Sequence, residues 1–146
     1  MPVAAVLGWP LAHTLSPALH RAAYHAAGLE GWTYLARPTR PEELPAAIAE
    51  VRAGALAGVN LTTPHKEAVV GLVDDLDPPA DRLRAVNTVV PRDGRLVGAN
   101  TDVAGALWAL GSQLGLRDAR WPGRGPALLL GTGGVAVAVA FAWSRL

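Results

Sequence analysis

Short apolar runs alternate with segments of helical periodicity along most of the chain, and this alternation constrains the fold more than any other feature. Apolar runs at residues 3–7, 32–36 and 57–61 predict strands. Helices are predicted after Ser16 and at residues 41–52 and 64–73, where apolar residues recur at helical spacing. Strands that alternate with helices are typical of α/β domains. The sequence therefore predicts a mostly parallel sheet with helices on both faces.

The pattern changes after the third predicted helix. Residues 74–81 are turn-rich, and runs at residues 85–90 and 95–99 predict a hairpin with an Asp-Gly turn. A helix is predicted over residues 102–114, and residues 122–126 form a linker that contains Pro and Gly.

Residues 125–144 carry no charge, and this run is long enough to raise the question of a membrane-spanning helix. Pro126 and the glycines at 131, 133 and 134 interrupt the run. The sequence therefore favours a buried strand at residues 127–130, a glycine turn and a buried helix. This order is that of the first β-α unit of a Rossmann-type domain.

We accordingly expect three parts. Residues 1–105 form a first domain, residues 106–126 a connecting helix and linker, and residues 127–146 the start of a nucleotide-binding domain. Because such a domain needs further β-α units, we expect the sequence to be a piece of a longer protein.

Composition disfavours several classes of function. Thirteen Lys and Arg against 12 Asp and Glu give a net charge of +1 without a basic cluster, so nucleic-acid binding is not expected. Without cysteine there is no thiol nucleophile, and His13, His20, His25 and His65 show no metal-site spacing. We interpret these histidines as surface or packing residues and expect no metal. The N-terminus lacks the positive region of a secretory signal, so we expect a cytoplasmic protein without a membrane segment.

The turn Gly131-Thr132-Gly133-Gly134 follows a predicted strand and opens a predicted helix. Glycines there let backbone N–H groups approach a pyrophosphate at the positive end of a helix, and Ala136 satisfies the need for a small residue at the sixth position. A tight turn without any ligand would have the same appearance.

Three polar segments are candidates for the edge where parallel sheets bind ligands. Gly-Val-Asn-Leu-Thr-Thr-Pro-His-Lys places Asn60, Thr62 and Lys66 at the end of a strand and the start of a helix. Alternatively, Thr62 or Thr63 caps that helix and Lys66 is solvated. The same alternatives apply to Asn87 in Val-Asn-Thr. Asp102 in Asn-Thr-Asp either belongs to a site or caps the helix that follows.

Thr14 and Ser16 place two hydroxyls at the start of a helix. Two hydroxyls together with free N–H groups make a natural carboxylate site. Alternatively, Ser16 is only the helix N-cap.

The five motifs Thr-Leu-Ser-Pro, Asn-Leu-Thr-Thr-Pro-His-Lys, Ala-Val-Asn-Thr, Asn-Thr-Asp and Gly-Thr-Gly-Gly occur in this order. Because it carries these motifs in this order, the chain resembles the shikimate dehydrogenase family over residues 3–142. The resemblance implies an NADP-dependent oxidoreductase that reduces 3-dehydroshikimate to shikimate, a step of aromatic amino-acid biosynthesis. The resemblance is also compatible with a homodimer.

The resemblance also implies a role for each matching residue. The substrate carboxylate would bind Thr14 and Ser16, and the substrate's hydroxyls and carboxylate would contact Asn60, Thr62 and Asn87. Lys66 and Asp102 would form the catalytic pair and also touch the substrate. NADP would bind a segment made of Gly131, Thr132, Gly133, Gly134 and Val135.

Three positions depart from the family pattern. Thr14 replaces a serine, Arg84 stands where glycine is usual before Ala-Val-Asn-Thr, and Val137 replaces a common basic residue. Two alternatives stay open: a quinate/shikimate dehydrogenase, and a non-catalytic remnant that binds shikimate-like ligands. The sequence does not separate NADP from NAD, because the residues that choose between them would follow Leu146.

Overall fold

The computed structural model describes residues 1–114, 128–131 and 133–144. The chain divides into two compact units, Met1–Ala99 and Asn100–Leu146. The first unit contains strands β1 to β6 and helices α1 to α4, and the second contains helices α5 and α6. Their bounds are β1 Val3–Gly8, α1 Ser16–Ala26, β2 Thr33–Pro38, α2 Leu44–Arg52, β3 Gly58–Leu61, α3 His65–Ala68, β4 Asp75–Leu76, α4 Pro78–Leu83, β5 Thr88–Arg92, β6 Arg95–Ala99, α5 Asp102–Leu114 and α6 Gly134–Trp143.

The six strands form one sheet in the order β2-β1-β3-β5-β6-β4. β1 pairs in parallel with β2 and β3, and β4 pairs in parallel with β6. β5 is antiparallel to both of its neighbours, β3 and β6. The prediction of a mostly parallel sheet is confirmed, and the predicted hairpin supplies the antiparallel part. As a result, β3 ends where β5 begins, and Asn60 pairs with Thr88.

Helices cover both faces of the sheet, as predicted. Ala5 and Leu7 of β1 belong to a buried cluster that also contains Ile48 and Val51 of α2. Because side chains alternate along a strand, Ala4 and Val6 face the other way. They form a second buried cluster with Tyr34. Tyr24 of α1 and Leu11, which precedes α1, pack against this cluster.

Residues 74–81 differ from the prediction of turns. They contain the two-residue strand β4 and the start of α4, whose N-cap is Asp77. The Asp77 carboxylate accepts a hydrogen bond from the Ala80 N–H at 2.7 Å, and two prolines that fit the first turn of a helix follow it. The same Asp and Pro residues that suggested turns therefore begin a short helix.

The hairpin is also shorter than predicted, because β5 begins at Thr88 rather than at residue 85. Ala85 and Val86 are buried, but their N–H groups donate to Ala80 and Lys66 rather than to a neighbouring strand. The predicted Asp-Gly turn is confirmed. Both Asp93 and Gly94 have positive φ, at 51° and 76°, as a type I′ turn requires.

The second unit bears out both predicted helices and contradicts one predicted strand. α5 has the predicted bounds, and α6 follows the glycine turn. Residues 128–130 are not a strand, and Leu128 and Leu130 are 85% and 84% exposed. A strand forms only where a neighbour accepts its hydrogen bonds, and the described residues of this unit provide none. Residue 127 lies outside the described residues.

Across the described parts of the chain, every helix is too short or too polar to span a membrane.

Candidate active site

A cavity of about 340 Å³ lies beside the carboxyl end of β1. Three residues with hydroxyl groups line it, Thr14, Ser16 and Thr62, together with His13. The rest of its lining is mainly apolar and consists of Val6, Pro10, Leu11 and Ala12. Two separate predicted segments, the start of α1 and the residues after β3, thus meet in one cavity.

Thr14 and Ser16 form a pair in this cavity. The Thr14 hydroxyl donates to the Ser16 hydroxyl oxygen at 3.2 Å, and the Ser16 N–H donates to Thr14 Oγ1 at 3.3 Å. The interpretation of Ser16 as only an N-cap is wrong. α1 begins at Ser16 itself, and its N-cap Leu15 has no side-chain capping bond. The two hydroxyls therefore lie side by side at the first turn of a helix, where an anion is favoured.

Gly8 allows the residue after β3 to approach the end of β1. A Cβ atom at Gly8 would collide with the methyl group of Thr62 and would lie 3.0 Å from Leu11 and 3.2 Å from the Thr63 carbonyl oxygen. The backbone is joined at the same place, because the Thr62 N–H donates to the Leu7 oxygen at 2.9 Å. Only glycine leaves room for Thr62 to line the cavity in this position.

Asn60 lies on β3 and is held by hydrogen bonds at both ends of its amide. Its Oδ1 accepts from the hydroxyl of Tyr34 at 2.6 Å. Its Nδ2 donates to the Asn87 carbonyl oxygen at 3.3 Å and to Thr88 Oγ1 at 3.0 Å. The strand register brings together the two asparagines that the sequence predicted as ligands of one substrate.

Asn87 is buried between two strands. Its N–H donates to the Ala99 oxygen at 3.0 Å, and its carbonyl oxygen accepts from the Leu61 N–H at 2.8 Å. The Thr88 hydroxyl donates to the Asn87 side-chain oxygen at 3.0 Å. The backbone and side-chain oxygens of Asn87 are therefore both fixed by the neighbouring strands.

Lys66 lies in α3, next to the segment that carries Asn87. The Lys66 carbonyl oxygen accepts from the Val86 N–H at 2.7 Å. The capping interpretation of Thr62 and Thr63 is wrong, because the N-cap of α3 is Pro64 and no side chain caps it. The side chain of Lys66 is half-buried. It is the only lysine among the 13 cationic residues of the sequence.

His65 precedes Lys66 and is completely buried. Its Nε2 lies 2.7 Å from the Thr39 carbonyl oxygen, which can only accept, so Nε2 carries the proton. The interpretation of His65 as a packing residue agrees with this position. The contact joins the start of α3 to the end of β2.

Sequence reasoning missed Tyr34 and Thr88, the two hydroxyl residues that hold Asn60. The ring of His20 stacks on Tyr34 with centroids 3.8 Å apart and planes 3° apart. Burial raises the pKa of Tyr34 and lowers the pKa of His20. No local signal in the sequence marks Tyr34, because its contact with Asn60 arises from the pairing of the strands.

Asp102 belongs to the second unit, whereas Lys66 belongs to the first. The interpretation of Asp102 as a helix cap is wrong, because Asp102 is the first residue of α5. Asn100 takes that role: its Oδ1 accepts from the Asp102 N–H at 3.0 Å. The Asp102 side chain is therefore not needed to cap the helix, and a carboxylate in the first turn is favoured by the helix dipole.

The glycine turn before α6 has a backbone that suits close approach of a ligand. Gly131 has φ of 125°, a conformation that side-chain-bearing residues rarely adopt. Gly133 is the N-cap, and α6 begins at Gly134. A Cβ at Gly133 would meet nothing within 4 Å, so the space on that side of its backbone is open among the described residues. Thr132 lies outside the described residues.

Comparison with known proteins gives consistent matches. Residues 6–89 match the family described as "Shikimate dehydrogenase substrate binding domain". The shikimate dehydrogenase (NADP(+)) of Thermus thermophilus is 51% identical over 138 residues, which are 94% of this chain and 49% of that protein. The corresponding protein of Citrifermentans bemidjiense is 45% identical over 134 residues, 92% of this chain and 44% of that one.

Solved structures agree with this. The Thermus thermophilus shikimate 5-dehydrogenase in complex with NADP(H) and shikimate is 48% identical, with a TM-score of 0.86 over 99% of this chain and 52% of that one. The shikimate dehydrogenase of Aquifex aeolicus is 35% identical, with a TM-score of 0.86 over 99% and 52% of the two chains. The chain thus spans about half the length of the curated relatives it matches.

Proposed function

Because the chain belongs to the shikimate dehydrogenase family, we propose that it is the substrate-binding part of an NADP-dependent enzyme that interconverts 3-dehydroshikimate and shikimate. In this proposal residues 1–105 hold the substrate, residues 106–126 connect, and residues 127–146 begin the cofactor domain. The reaction belongs to aromatic amino-acid biosynthesis.

The observation that carries the proposal is the convergence of Thr14, Ser16 and Thr62 in one cavity. A carboxylate accepts hydrogen bonds and carries a negative charge, so hydroxyl donors at the start of a helix suit it. Asn60 and Asn87, fixed at the junction of β3 and β5, suit the hydroxyls of the same substrate. Amides offer both a donor and an acceptor, and a site built for hydroxyls strongly penalises analogues that lack one.

The chemistry requires a proton donor beside the carbonyl. Reduction of a ketone adds a hydride to carbon and leaves an alkoxide on oxygen, which takes up a proton to become the alcohol. In the proposal the ammonium group of Lys66 gives this proton, and the neutral amine takes it back in the reverse direction. Asp102 holds the lysine and the reacting hydroxyl in place.

The composition supports a chemical role for Lys66. Every cationic residue of the sequence except Lys66 is an arginine. Arginine does not release a proton in proteins, whereas lysine can. The single lysine is therefore the residue to which the proposal assigns the amine that the reaction needs.

The glycine turn fits the proposed cofactor. Gly131, Gly133, Gly134 and Val135, together with Thr132, would hold the pyrophosphate of NADP at the start of α6. The backbone of Gly131 and the open space around Gly133 are what such an approach needs. Bound NADPH supplies the hydride.

Two substitutions of Lys66 in the complete gene product test the proposal. Lys66→Met should lower kcat for shikimate oxidation by about 10²–10⁴-fold, the usual contribution of a positioned acid or base, with a smaller change in KM. Lys66→Arg keeps the positive charge but cannot release a proton, so it should lose as much kcat as Lys66→Met. Near-normal turnover in either variant would exclude Lys66 as the proton donor.

The wild-type assay distinguishes the alternatives. Turnover of shikimate but not quinate supports the proposal, and comparable turnover of quinate indicates a quinate/shikimate dehydrogenase. Binding of shikimate without any turnover by the complete gene product would indicate a non-catalytic ligand-binding protein.

A further inference from the structure

A directed series of hydrogen bonds joins four side chains across the sheet. Tyr34 on β2 donates to Asn60 Oδ1, and Asn60 Nδ2 donates to Thr88 Oγ1 on β5. The Thr88 hydroxyl in turn donates to Asn87 Oδ1. The three distances are 2.6, 3.0 and 3.0 Å.

The register of the strands explains how Tyr34 reaches Asn60 across β1. Ala4 of β1 pairs with Tyr34, and Val6 of β1 pairs with Asn60. Ala4 and Val6 share one face of the strand because they are two residues apart. The Tyr34 side chain therefore crosses β1 on that face, over the small side chain of Ala4.

Each hydrogen bond in the series restrains the side chain that follows it. The oxygen and nitrogen ends of an amide have nearly the same shape, so only hydrogen-bond partners decide which end points where. The Asn87 carbonyl oxygen can only accept, so its contact with Asn60 at 3.3 Å keeps Nδ2 on the side of β5, toward Thr88. Oδ1 then lies on the side of Tyr34, whose hydroxyl donates to it. One lone pair of Thr88 Oγ1 then accepts from Asn60 Nδ2, and the hydroxyl proton of Thr88 points to Asn87 Oδ1.

We propose that Tyr34 and Thr88 are positioning residues that hold the amides of Asn60 and Asn87 for substrate binding, in the orientation that the Asn87 carbonyl oxygen sets for Asn60. The proposal rests on the proposed function, in which these two asparagines bind the substrate's hydroxyls. An amide in the reversed orientation would present a donor where an acceptor is required.

The surroundings of Tyr34 keep it in its role as donor. His20 stacks on one face of the ring, and Tyr34 is buried in the cluster with Ala4 and Val6. A phenol keeps its proton at neutral pH, and burial raises the pKa of Tyr34 further above that range.

Tyr34→Phe tests the proposal while leaving the ring in place. In the complete gene product we expect KM for shikimate to rise roughly two- to tenfold, the value of one neutral hydrogen bond, with KM for NADP and the melting temperature nearly unchanged. Tyr24→Phe is the matched control, because it removes a hydroxyl from the same aromatic cluster, 6.5 Å between ring centroids from Tyr34. It should leave both KM values unchanged.

Thr88 provides an independent variant. Thr88→Val removes the hydroxyl at nearly constant shape and should raise KM for shikimate as Tyr34→Phe does, whereas Thr88→Ser keeps the hydroxyl and should restore binding. If Tyr34 acts through Asn60, Tyr34→Phe should have no further effect on KM in an Asn60→Ala background. Additive effects would overturn the proposed route.

Side-chain amide resonances give a readout that does not depend on the substrate. Without ligand, Tyr34→Phe should shift the NH₂ signals of Asn60, and Thr88→Val should shift those of Asn87. Unshifted signals overturn the inference even if the wild type oxidises shikimate. Shifted signals in a protein that does not bind shikimate would support the orienting contacts and overturn the proposed function alone.

Discussion

Asp74 carries a carboxylate that is held by hydrogen bonds from two other parts of the fold. Its carboxylate accepts from both terminal nitrogens of Arg52, at 2.7 and 3.1 Å, and from the Leu96 N–H at 2.7 Å. The hydrogen bonds from Arg52, followed by the one from the Leu96 backbone, lower the pKa of Asp74 to about 2. The hydrogen bonds by which the carboxyl group connects α2 to β6 are therefore strongest while it is ionised.

The stability that Asp74 contributes should depend on pH in a defined direction. The folded-state pKa of about 2 lies below the ordinary value of 3.8, so the contribution is complete above about pH 4 and is lost as pH falls toward 2. We expect Asp74→Asn to lower the free energy of unfolding at pH 7 and to flatten its decline between pH 4 and 2. Urea unfolding across this range measures both effects.

Asp93→Asn, which also removes one negative charge, is the control for the change in net charge. Parallel pH profiles for the wild type and Asp74→Asn would contradict the assignment.

At the scale of single residues, some residues of the candidate site were predictable from the sequence and others were not. The hydroxyls of Thr14, Ser16 and Thr62 follow from short local motifs, and the structure brings these residues to one cavity. Tyr34 and Thr88 could not be predicted, because their contacts with Asn60 arise from strand register rather than from neighbouring residues in the sequence. No local pattern states which residue of β2 will reach β3 across β1.

At the scale of elements, the end of α4 explains a departure from the family pattern. Arg84 is the C-cap of α4 and has φ of 49° and ψ of 38°, a left-handed conformation. Glycine adopts this conformation without the steric cost that a Cβ atom brings. The glycine that is usual at this position in the family is therefore the residue that the backbone favours.

Arg84→Gly should raise the free energy of unfolding by roughly 0.5–1 kcal/mol, because relief of the left-handed strain outweighs the greater entropy of glycine in the unfolded chain. The lost ion pair with Asp81 is exposed, and such pairs contribute little. Chemical denaturation measures the difference.

Arg84→Ala is the matched variant: it loses the same ion pair but keeps the Cβ atom, so it should give no gain in stability. A stabilised Arg84→Ala protein would show that the ion pair, and not the backbone, is responsible for the effect.

The helices of nine or more residues were predictable, whereas the two-residue strand β4 and the six-residue helix α4 were not. α2, α5 and α6 each have enough residues to show a helical pattern or clear boundaries, whereas β4 has two residues and no period to detect. At residues 128–130 a strand was predicted where none forms. The apolar composition suggested a strand, but composition does not encode a pairing partner.

At the scale of the whole molecule, the two buried clusters lie entirely within the first unit. Their buried members range from Ala4 to Leu96, and the unit comprises Met1–Ala99. The described buried hydrophobic residues of the second unit are Val103, Ala138 and Ala142. A segment that contains its own core can fold by itself.

We expect residues 1–99 expressed alone to unfold in one cooperative transition. Urea titration followed by the fluorescence of Trp9 and Trp32, the two tryptophans in this segment, measures it, and near-ultraviolet circular dichroism checks for fixed side-chain packing. A gradual transition without a near-ultraviolet signal would show that residues 1–99 need the rest of the chain to fold.

The hairpin turn between β5 and β6 lies at the opposite end of β5 from Asn87. β5 has five residues, so at about 3.4 Å for each residue the turn is roughly 17 Å from the start of the strand. Asp93 and Gly94 are both exposed. A fluorophore or an immobilisation tag attached at this turn would leave the candidate site accessible, which makes the hairpin a natural handle for binding assays.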